Sequence, residues 1–354
     1  MTNDGSGSVR SLPRPSSMRE LRALPRRRYA PRSLLLAAGA PALARSAWPD
    51  RAPRLAIAIW LALAASAIAS VMLTGVALMV PTERVSGGIA WLLAACQMAL
   101  RAQYAQPGGT ALAVAGGVLA VTLTARIAWC TVATLGAAAR AGQRHCHRLR
   151  LAGRHDPRLG ALVIDHGDPA AYCVPGTRRP VVLTTGALRV LDDTQLAAVL
   201  AHEQAHQSGR HHLLVGLAAV PAAAFPRVPA FRAARDQVAR LTELAADDAA
   251  AARSPRLAVA EALLTLGGAP AGAGALGAGG STAAARVRRL IAAPNPLGRA
   301  ASAGGMLAVA ALIAFPLVLL AAPAADAFSM GYCPEAAVAA QPGPATAHCA
   351  GMEC

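Results

Sequence analysis

Three long apolar runs stand out between the polar segments of the sequence. They cover Leu55–Val80, Thr110–Ala139 and Met306–Ala325; Arg126 is the one charge in the second run, and the third contains prolines. A helix needs about 20 mainly apolar residues to cross a bilayer, and membrane helices tolerate proline. The pattern therefore predicts three transmembrane helices, with Arg126 snorkelling or facing the interior of the helix bundle.

A fourth apolar run, Ser33–Ala44, is too short to span the membrane. Its twelve residues cannot cross about 30 Å of hydrocarbon as a helix, so it is predicted to be interfacial or the remnant of a span. The surrounding residues 1–54 are rich in Arg, Pro and Ser and are predicted to form a basic, disordered N-terminal tail. The expected number of spans is therefore three or four.

Composition agrees with a membrane protein and excludes several chemistries. The chain is 55% hydrophobic with a mean hydropathy of +0.41, and its net charge of +16 comes from arginine without any lysine. Walker A, Schiff-base and S-x-x-K acylation sites all need a lysine and are excluded. The arginines cluster beside the apolar runs rather than among aromatic residues, so no direct nucleic-acid binding is expected.

The same arginines predict the orientation in a cell membrane. Basic segments precede the first run, follow the second and precede the third, and cytoplasmic loops carry such an excess. Residues 140–300 are therefore expected to be a cytoplasmic domain between a helical pair at 55–139 and a last span at 301–325. The 81–109 loop and the 326–354 tail would lie outside, where two of Cys333, Cys349 and Cys354 could form a disulfide.

Within residues 140–300 the pattern predicts both strands and helices. Two short apolar segments, Ala161–Asp165 and Pro180–Thr185, are bounded by Gly and Pro and are predicted to be strands. Asp192 followed by Gln195 resembles a capping box for a helix over Gln195–Gln207, with Asp193 in the same capping segment. Its buried side is expected to include four residues: Leu196, Val199, Leu200 and Ala205.

The helix at Gln195–Gln207 carries the sequence His202-Glu203-x-x-His206. Residues four apart lie on one helix face, so the two imidazoles can grip one Zn²⁺. Glu203 is displaced enough to miss the metal but can reach a water beside it. The spacing predicts a hydrolytic zinc site in which Glu203 is the general base.

A third ligand is predicted from a later helical stretch, Ala239–Ala251. Glu243 and Asp247 are four residues apart, so they also share a face. Glu243 is the expected third ligand, and Asp247 is expected to accept the N–H of a ligand histidine. Asp248 is a competing candidate for that second role.

The remaining histidines and cysteines are predicted to have other roles. His211 or His212 could stabilise an oxyanion, but polar anchors at a membrane surface are favoured. His145, His147, His155 and His166 are predicted to be surface residues, and small thiols packed inside the protein are expected at four positions: Cys96, Cys130, Cys146 and Cys173.

The apolar run Leu213–Phe225 must not cross the bilayer if the zinc site exists. One crossing would place Glu243 on the opposite side from His202, and the 36 residues between His206 and Glu243 are too few for two. The run is therefore expected to be buried in the domain or to dip into the membrane interface.

Four segments resemble the M56 family of membrane metallopeptidases, the BlaR1/MecR1 type of antibiotic sensor. They are AAYCVPG from Ala170, RRPVVLTTGAL from Arg178, LDDTQLAAVLAHEQAHQSGRHHLL from Leu191 and ELAADDAAA from Glu243. The resemblance implies a mainly α membrane protein with a small α+β, gluzincin-like zinc peptidase domain. It also implies a protein substrate such as a BlaI-like transcriptional repressor, cleaved at the cytoplasmic side of the membrane.

One departure concerns the sensor domain of that family. Only 29 residues follow Ala325, and no lysine is available for acylation, so direct sensing of β-lactams is not expected. Two alternatives remain open: a non-enzymatic membrane transducer or scaffold in which zinc joins two helices, and a basic membrane-surface protein without a metal.

Overall fold

The computed structural model describes residues 39–79, 109–174, 180–267 and 279–329. Contacts divide the chain into two units, Met1–Ser70 with Thr124–Ile313, and Val71–Leu123 with Ala314–Cys354. The elements follow the order α1 (Pro53–Met79), α2 (Gly109–Ala152), β1 (Gly153–Asp156), β2 (Ala161–Ile164), β3 (Ala171–Cys173), β4 (Val181–Thr184), α3 (Thr185–Val190), α4 (Asp193–Ser208), α5 (His211–Ala224), α6 (Pro229–Ala251), α7 (Arg256–Gly267), α8 (Gly279–Ile291) and α9 (Arg299–Ser329).

Three of these helices are long and apolar enough to cross a membrane. The candidate spans are Pro53–Val76, Ala113–Ala152 and Arg299–Val318, which confirms the three apolar helices expected from the sequence. Within the second unit, α1 and α2 approach closely, because a Cβ added at Gly75 would lie 3.0 Å from the carbonyl oxygen of Gly116.

Helix α2 does not end where its apolar run ends. It continues from Arg140 to Ala152, because Gly142, Cys146 and Leu149 recur at helical spacing and form a buried stripe on this extension. Within the apolar part, Nε of Arg126 donates to the carbonyl oxygen of Ala224 at 2.5 Å, so this arginine finds a backbone partner on α5.

The prediction of a disordered tail through residue 54 is wrong for residues 39–54. Residues 39–45 are helical, Ala40 is 2% exposed, and a 3-10 helix follows at Trp48–Asp50. In the described part of the short apolar run, Ala40 lies in the core and Leu43 packs against it, whereas Pro41, Ala42 and Ala44 are exposed. Ion pairing explains part of this order, since Arg240 of α6 lies 2.7 Å from Oδ1 of Asp50. Residues 33–38 lie outside the described residues.

The sheet has four strands in the order β1-β2-β4-β3. Strands β2 and β4 are parallel, whereas β1 with β2 and β3 with β4 are antiparallel. The two predicted strands are confirmed as β2 and β4. Strands β1 and β3 have no clear signal in the sequence, because β1 follows α2 directly without alternating apolar residues and β3 is only three residues long.

Asp192 caps helix α4 as predicted, since its carboxylate accepts from the backbone N–H of Gln195 at 2.8 Å. The helix begins at Asp193, two residues before its predicted start. The capping box is incomplete, however. The side chain of Gln195 is directed to Glu261 on α7, 3.5 Å away, rather than back to Asp192. Val199 is buried and Leu196 and Leu200 are partly buried against the sheet, which confirms that side of the helix.

Helix α5 covers Leu213–Ala224 of the apolar run that is predicted not to span the membrane, and it packs within the first unit. Ala218 joins Trp60 of α1 and Val238 of α6 in one core cluster, so one side of the helix is buried as expected, whereas Leu213 and Leu217 are exposed. The 14 residues of this helix are too few for a span. Helices α4 and α6 therefore meet in the same unit, which positions the polar residues described next.

Candidate metal centre

Helices α4 and α6 bring two imidazoles and one carboxylate together. Nε2 of His202 and Nε2 of His206 are 3.1 Å apart. The carboxylate of Glu243 lies 3.7 Å from Nε2 of His202 through Oε2 and 3.5 Å from Nε2 of His206 through Oε1. One ligand atom from each of the three residues lies within 4.8 Å of the others. The structure thus places these predicted ligands in one cluster.

The donor set fits a zinc ion. Two neutral imidazole nitrogens and one carboxylate oxygen are the protein ligands of a common class of catalytic zinc site, which leaves a fourth position for solvent or substrate. Within the described ranges, the group of His, Cys, Asp and Glu residues close enough to share an ion consists of these three. A closed structural site would normally need a fourth protein ligand.

Asp247 lies behind the first histidine, as the spacing predicts. Its Oδ1 is 3.1 Å from Nδ1 of His202, on the opposite side of the ring from the cluster, and its side chain has no exposed surface. Asp248, the competing candidate, is directed elsewhere and lies 2.7 Å from Nη1 of Arg289. Of the two candidates, Asp247 is therefore the one that lies against His202, because one further residue rotates the side chain of Asp248 by about 100° around α6.

Arg286 of α8 binds two of the four acids of α6, Glu243 and Asp247. Its Nε and Nη2 donate to the two oxygens of Asp247 at 2.8 and 2.6 Å, and its Nη1 lies 3.0 Å from Oε2 of Glu243. The sequence pattern assigns the basic segment before the third span, which includes Arg286, Arg288 and Arg289, to membrane topology. Arg286 and Arg289 instead bind carboxylates, whereas Arg288 is exposed. No local pattern distinguishes the three, since their partners come from another helix.

The charges in the cluster shift the pKa values of its members in different directions. Burial favours a neutral His202, but its contacts with Asp247 and Glu243 outweigh burial and raise its pKa to about 9. Burial lowers the pKa of His206 to about 4. Burial opposes ionisation of Glu243 and Asp247, yet contacts with His202 and Arg286 lower both pKa values to about 2.

Glu203 contacts Cys173 on the edge strand β3 and also interacts electrostatically with His202 and Glu243. Burial raises its pKa, while the charge of His202 and hydrogen bonds from the backbone N–H and the thiol of Cys173 act in the opposite direction. Burial and the negative charge of Glu203 raise the pKa of Cys173 to about 12. Cys173 is half-buried, as is Cys130, whereas Cys146 is buried as expected. The four cysteines Cys96, Cys333, Cys349 and Cys354 lie outside the described residues.

His211 is not a polar anchor at a membrane surface. It is 7% exposed, and its Nδ1 lies 3.0 Å from Nδ1 of His206. The rings meet edge to face with centroids 4.8 Å apart. Burial lowers its pKa. Four other histidines are exposed as predicted, namely His145, His147, His155 and His166.

Comparison with known proteins identifies one related family. The model of peptidase family M48 matches residues 139–258, about one third of the chain. This segment contains the sheet and five site residues, namely His202, Glu203, His206, Glu243 and Asp247, but not Arg286. The match supports a zinc metallopeptidase family and a metallopeptidase activity. It agrees with the sequence resemblance that the chain is like a metallopeptidase, but the matching family is M48 rather than M56. No curated protein and no solved structure matches the chain.

Proposed function

We propose that this chain is an integral-membrane, zinc-dependent endopeptidase that cleaves a cytoplasmic or membrane-adjacent protein. The observation that carries the proposal is the convergence of His202, His206 and Glu243 on one another, with Glu203 adjacent in sequence to the first of them. The family match over the same helices supports it independently. The three long apolar helices support the membrane location.

His202, His206 and Glu243 would hold the zinc ion. When bound, zinc acts as a Lewis acid that polarises a peptide carbonyl and acidifies the attacking water. Glu203 removes a proton from that water and delivers it to the departing amine. Its burial suits this role, because a carboxylate with a raised pKa is a stronger base than an exposed one.

Asp247 and Arg286 would orient the first ligand. Asp247 lies against Nδ1 of His202, which leaves Nε2 directed toward the cluster. Arg286 in turn fixes both oxygens of Asp247. Such contacts behind a ligand set the tautomer and angle of its ring, and they maintain the negative charge that favours a cation.

The proposal places the site on the cytoplasmic side of the plasma membrane. The extension of α2 beyond its apolar part presents exposed Arg140, Arg144 and Arg148 on the face opposite its buried residues. Arginine beside a span favours the cytoplasmic side. The finer proposal is an M56-type enzyme that acts on a BlaI-like transcriptional repressor, so that cleavage would change transcription. The sequence resemblance is its support.

Replacing the general base tests the proposal. Purified full-length Glu203→Gln should bind zinc as the wild type does but hydrolyse fluorescein-labelled casein at least about 100-fold more slowly. The matched control is Glu261→Gln, an exposed acid on α7, which should keep wild-type activity. Proteomics of cells that carry each form should show fragments that require Glu203 and identify the substrate, including a repressor if one is cleaved.

Two results would overturn the proposal. Wild-type protein without bound zinc after purification and zinc reconstitution would exclude the metal site. Unchanged hydrolysis by Glu203→Gln would show that this residue is not the base.

A further inference from the structure

We propose that His211 is a positioning residue for His206: its Nδ1 accepts the Nδ1–H of His206 and thereby directs Nε2 of His206 toward the metal. The inference rests on the proposed function and concerns a residue outside the H-E-x-x-H and E-x-x-x-D patterns. It assigns to the second ligand what Asp247 provides for the first.

The contact has the geometry of a hydrogen bond between two rings. The two Nδ1 atoms are 3.0 Å apart, and the ring planes are 84° apart. A nitrogen–nitrogen hydrogen bond needs one N–H and one lone pair. If Nε2 of His206 supplies its lone pair to a metal, the neutral ring carries its proton on Nδ1. His206 is then the donor, and Nδ1 of His211 must be the acceptor.

The backbone between the two helices is shaped to bring His211 to this position. Helix α4 ends at Ser208, and α5 already begins at His211. Arg210 makes the reversal with φ at 49°, the left-handed region that costs a side-chain-bearing residue about 1–2 kcal/mol. As a result, the first ring of α5 lies against the last turn of α4.

Gly209 provides the space that the ring occupies. A Cβ added at Gly209 would lie 2.5 Å from Nε2 and 2.7 Å from Cδ2 of His211. Real Cβ atoms do not approach other atoms so closely, so any larger residue would displace the ring. Gly209 and Arg210 together therefore hold His211 where its Nδ1 meets His206, and its 7% exposure keeps water from replacing it.

The Nδ1 atoms of the two ligand histidines therefore contact different kinds of group. His202 contacts a carboxylate that Arg286 holds, whereas His206 contacts an imidazole. An uncharged acceptor behind His206 adds no further negative charge to a cluster that already contains Glu203, Glu243 and Asp247. The neutral partner should therefore orient the ring without tightening the hold on the metal as strongly as a second aspartate would.

Three substitutions of His211 distinguish a role as hydrogen-bond acceptor from a role in packing alone. In His211→Asn, the amide oxygen can occupy the position of Nδ1; in His211→Gln it lies one bond further out; His211→Leu fills space without an acceptor. The assay measures Zn²⁺ affinity by chelator competition on full-length protein in detergent. Loss of a contact behind a ligand costs about 10–100-fold in metal affinity. His155→Asn, an exposed histidine on β1, is the control.

We expect the zinc affinity of His211→Asn to stay within about threefold of wild type. The His211→Gln and His211→Leu variants should bind zinc about 10–100-fold more weakly. Equal affinity of wild type and the Leu and Gln variants would overturn the inference while leaving the proposed function intact. Equal weakening in all three variants would also overturn it, because it would show a packing role. If Leu fails to fold, the comparison of Asn with Gln decides. Absence of zinc binding by wild type would instead remove the proposed function and this inference with it.

Discussion

Zinc binding should release close to one proton from His202 at pH 7.5. A ligand imidazole must be neutral. Burial favours that form, but contacts with Asp247 and Glu243 dominate and raise the pKa of His202 to about 9, so the ring is protonated before zinc binds. His206, with a pKa of about 4, is already neutral, and Glu243, with a pKa of about 2, is already ionised. His202 is thus the ligand that must lose a proton.

The magnitude follows from the neutral fraction of this one ring. Below its pKa that fraction falls tenfold for each pH unit, so zinc affinity should rise about 100-fold between pH 6 and pH 8. A histidine with the ordinary pKa would give only about fourfold over the same range. The contacts with Asp247 and Glu243 determine the direction of this pH dependence. Because the two acids stabilise the protonated ring, zinc binds more weakly at lower pH.

Two measurements on full-length protein in detergent test this prediction. Chelator competition at pH 6, 7 and 8 gives the slope, and calorimetry in buffers of different ionisation enthalpy counts the released protons. Asp247→Asn removes the nearest negative partner of His202, so it should lower both the pH dependence of zinc affinity and the number of protons released. Asp193→Asn, which changes an exposed acid on α4, should lower neither quantity. Because any ionisation of bound water is common to all variants, the difference isolates His202. A pH-independent zinc affinity, or equal proton release by wild type and Asp247→Asn, would contradict the claim that His202 loses a proton when zinc binds.

Two further predictions concern contacts that the sequence patterns do not contain. Arg286→Gln should lower the free energy of unfolding by roughly 3–5 kcal/mol, because the buried Asp247 would lose both hydrogen bonds from the guanidinium and keep only its contact with His202. Thermal unfolding measures this, with the exposed Arg288→Gln as control, and equal midpoints for Arg286→Gln and wild type would contradict it. Since the pKa of the Cys173 thiol is raised to about 12, iodoacetamide should alkylate it slowly at pH 8. Glu203→Gln should accelerate that alkylation by removing a negative charge, as peptide mass mapping would show; the same rate in both proteins would argue against the Cys173–Glu203 contact.

The membrane pattern and the local geometry of the metal cluster could be predicted from the sequence. An apolar run of sufficient length is a property of consecutive residues, and so is the i, i+4 spacing of His202 with His206 and of Glu243 with Asp247. The boundaries of the elements were less predictable. Helix α2 extends beyond its apolar run because its later residues are buried along one face. Residues 39–54 are ordered by contacts with residues that are distant in sequence.

The order of amino acids specifies which residues share a helix face, because helical periodicity is local. Which faces meet depends on how the helices pack: the rotation of α6 turns Asp247 rather than Asp248 toward His202. The same packing places Arg286 of α8, Cys173 of β3 and His211 of α5 beside the site. A charge or a hydrogen bond acts over a few ångströms of space, and the spacing of residues along the chain does not record which distant elements the core brings that close.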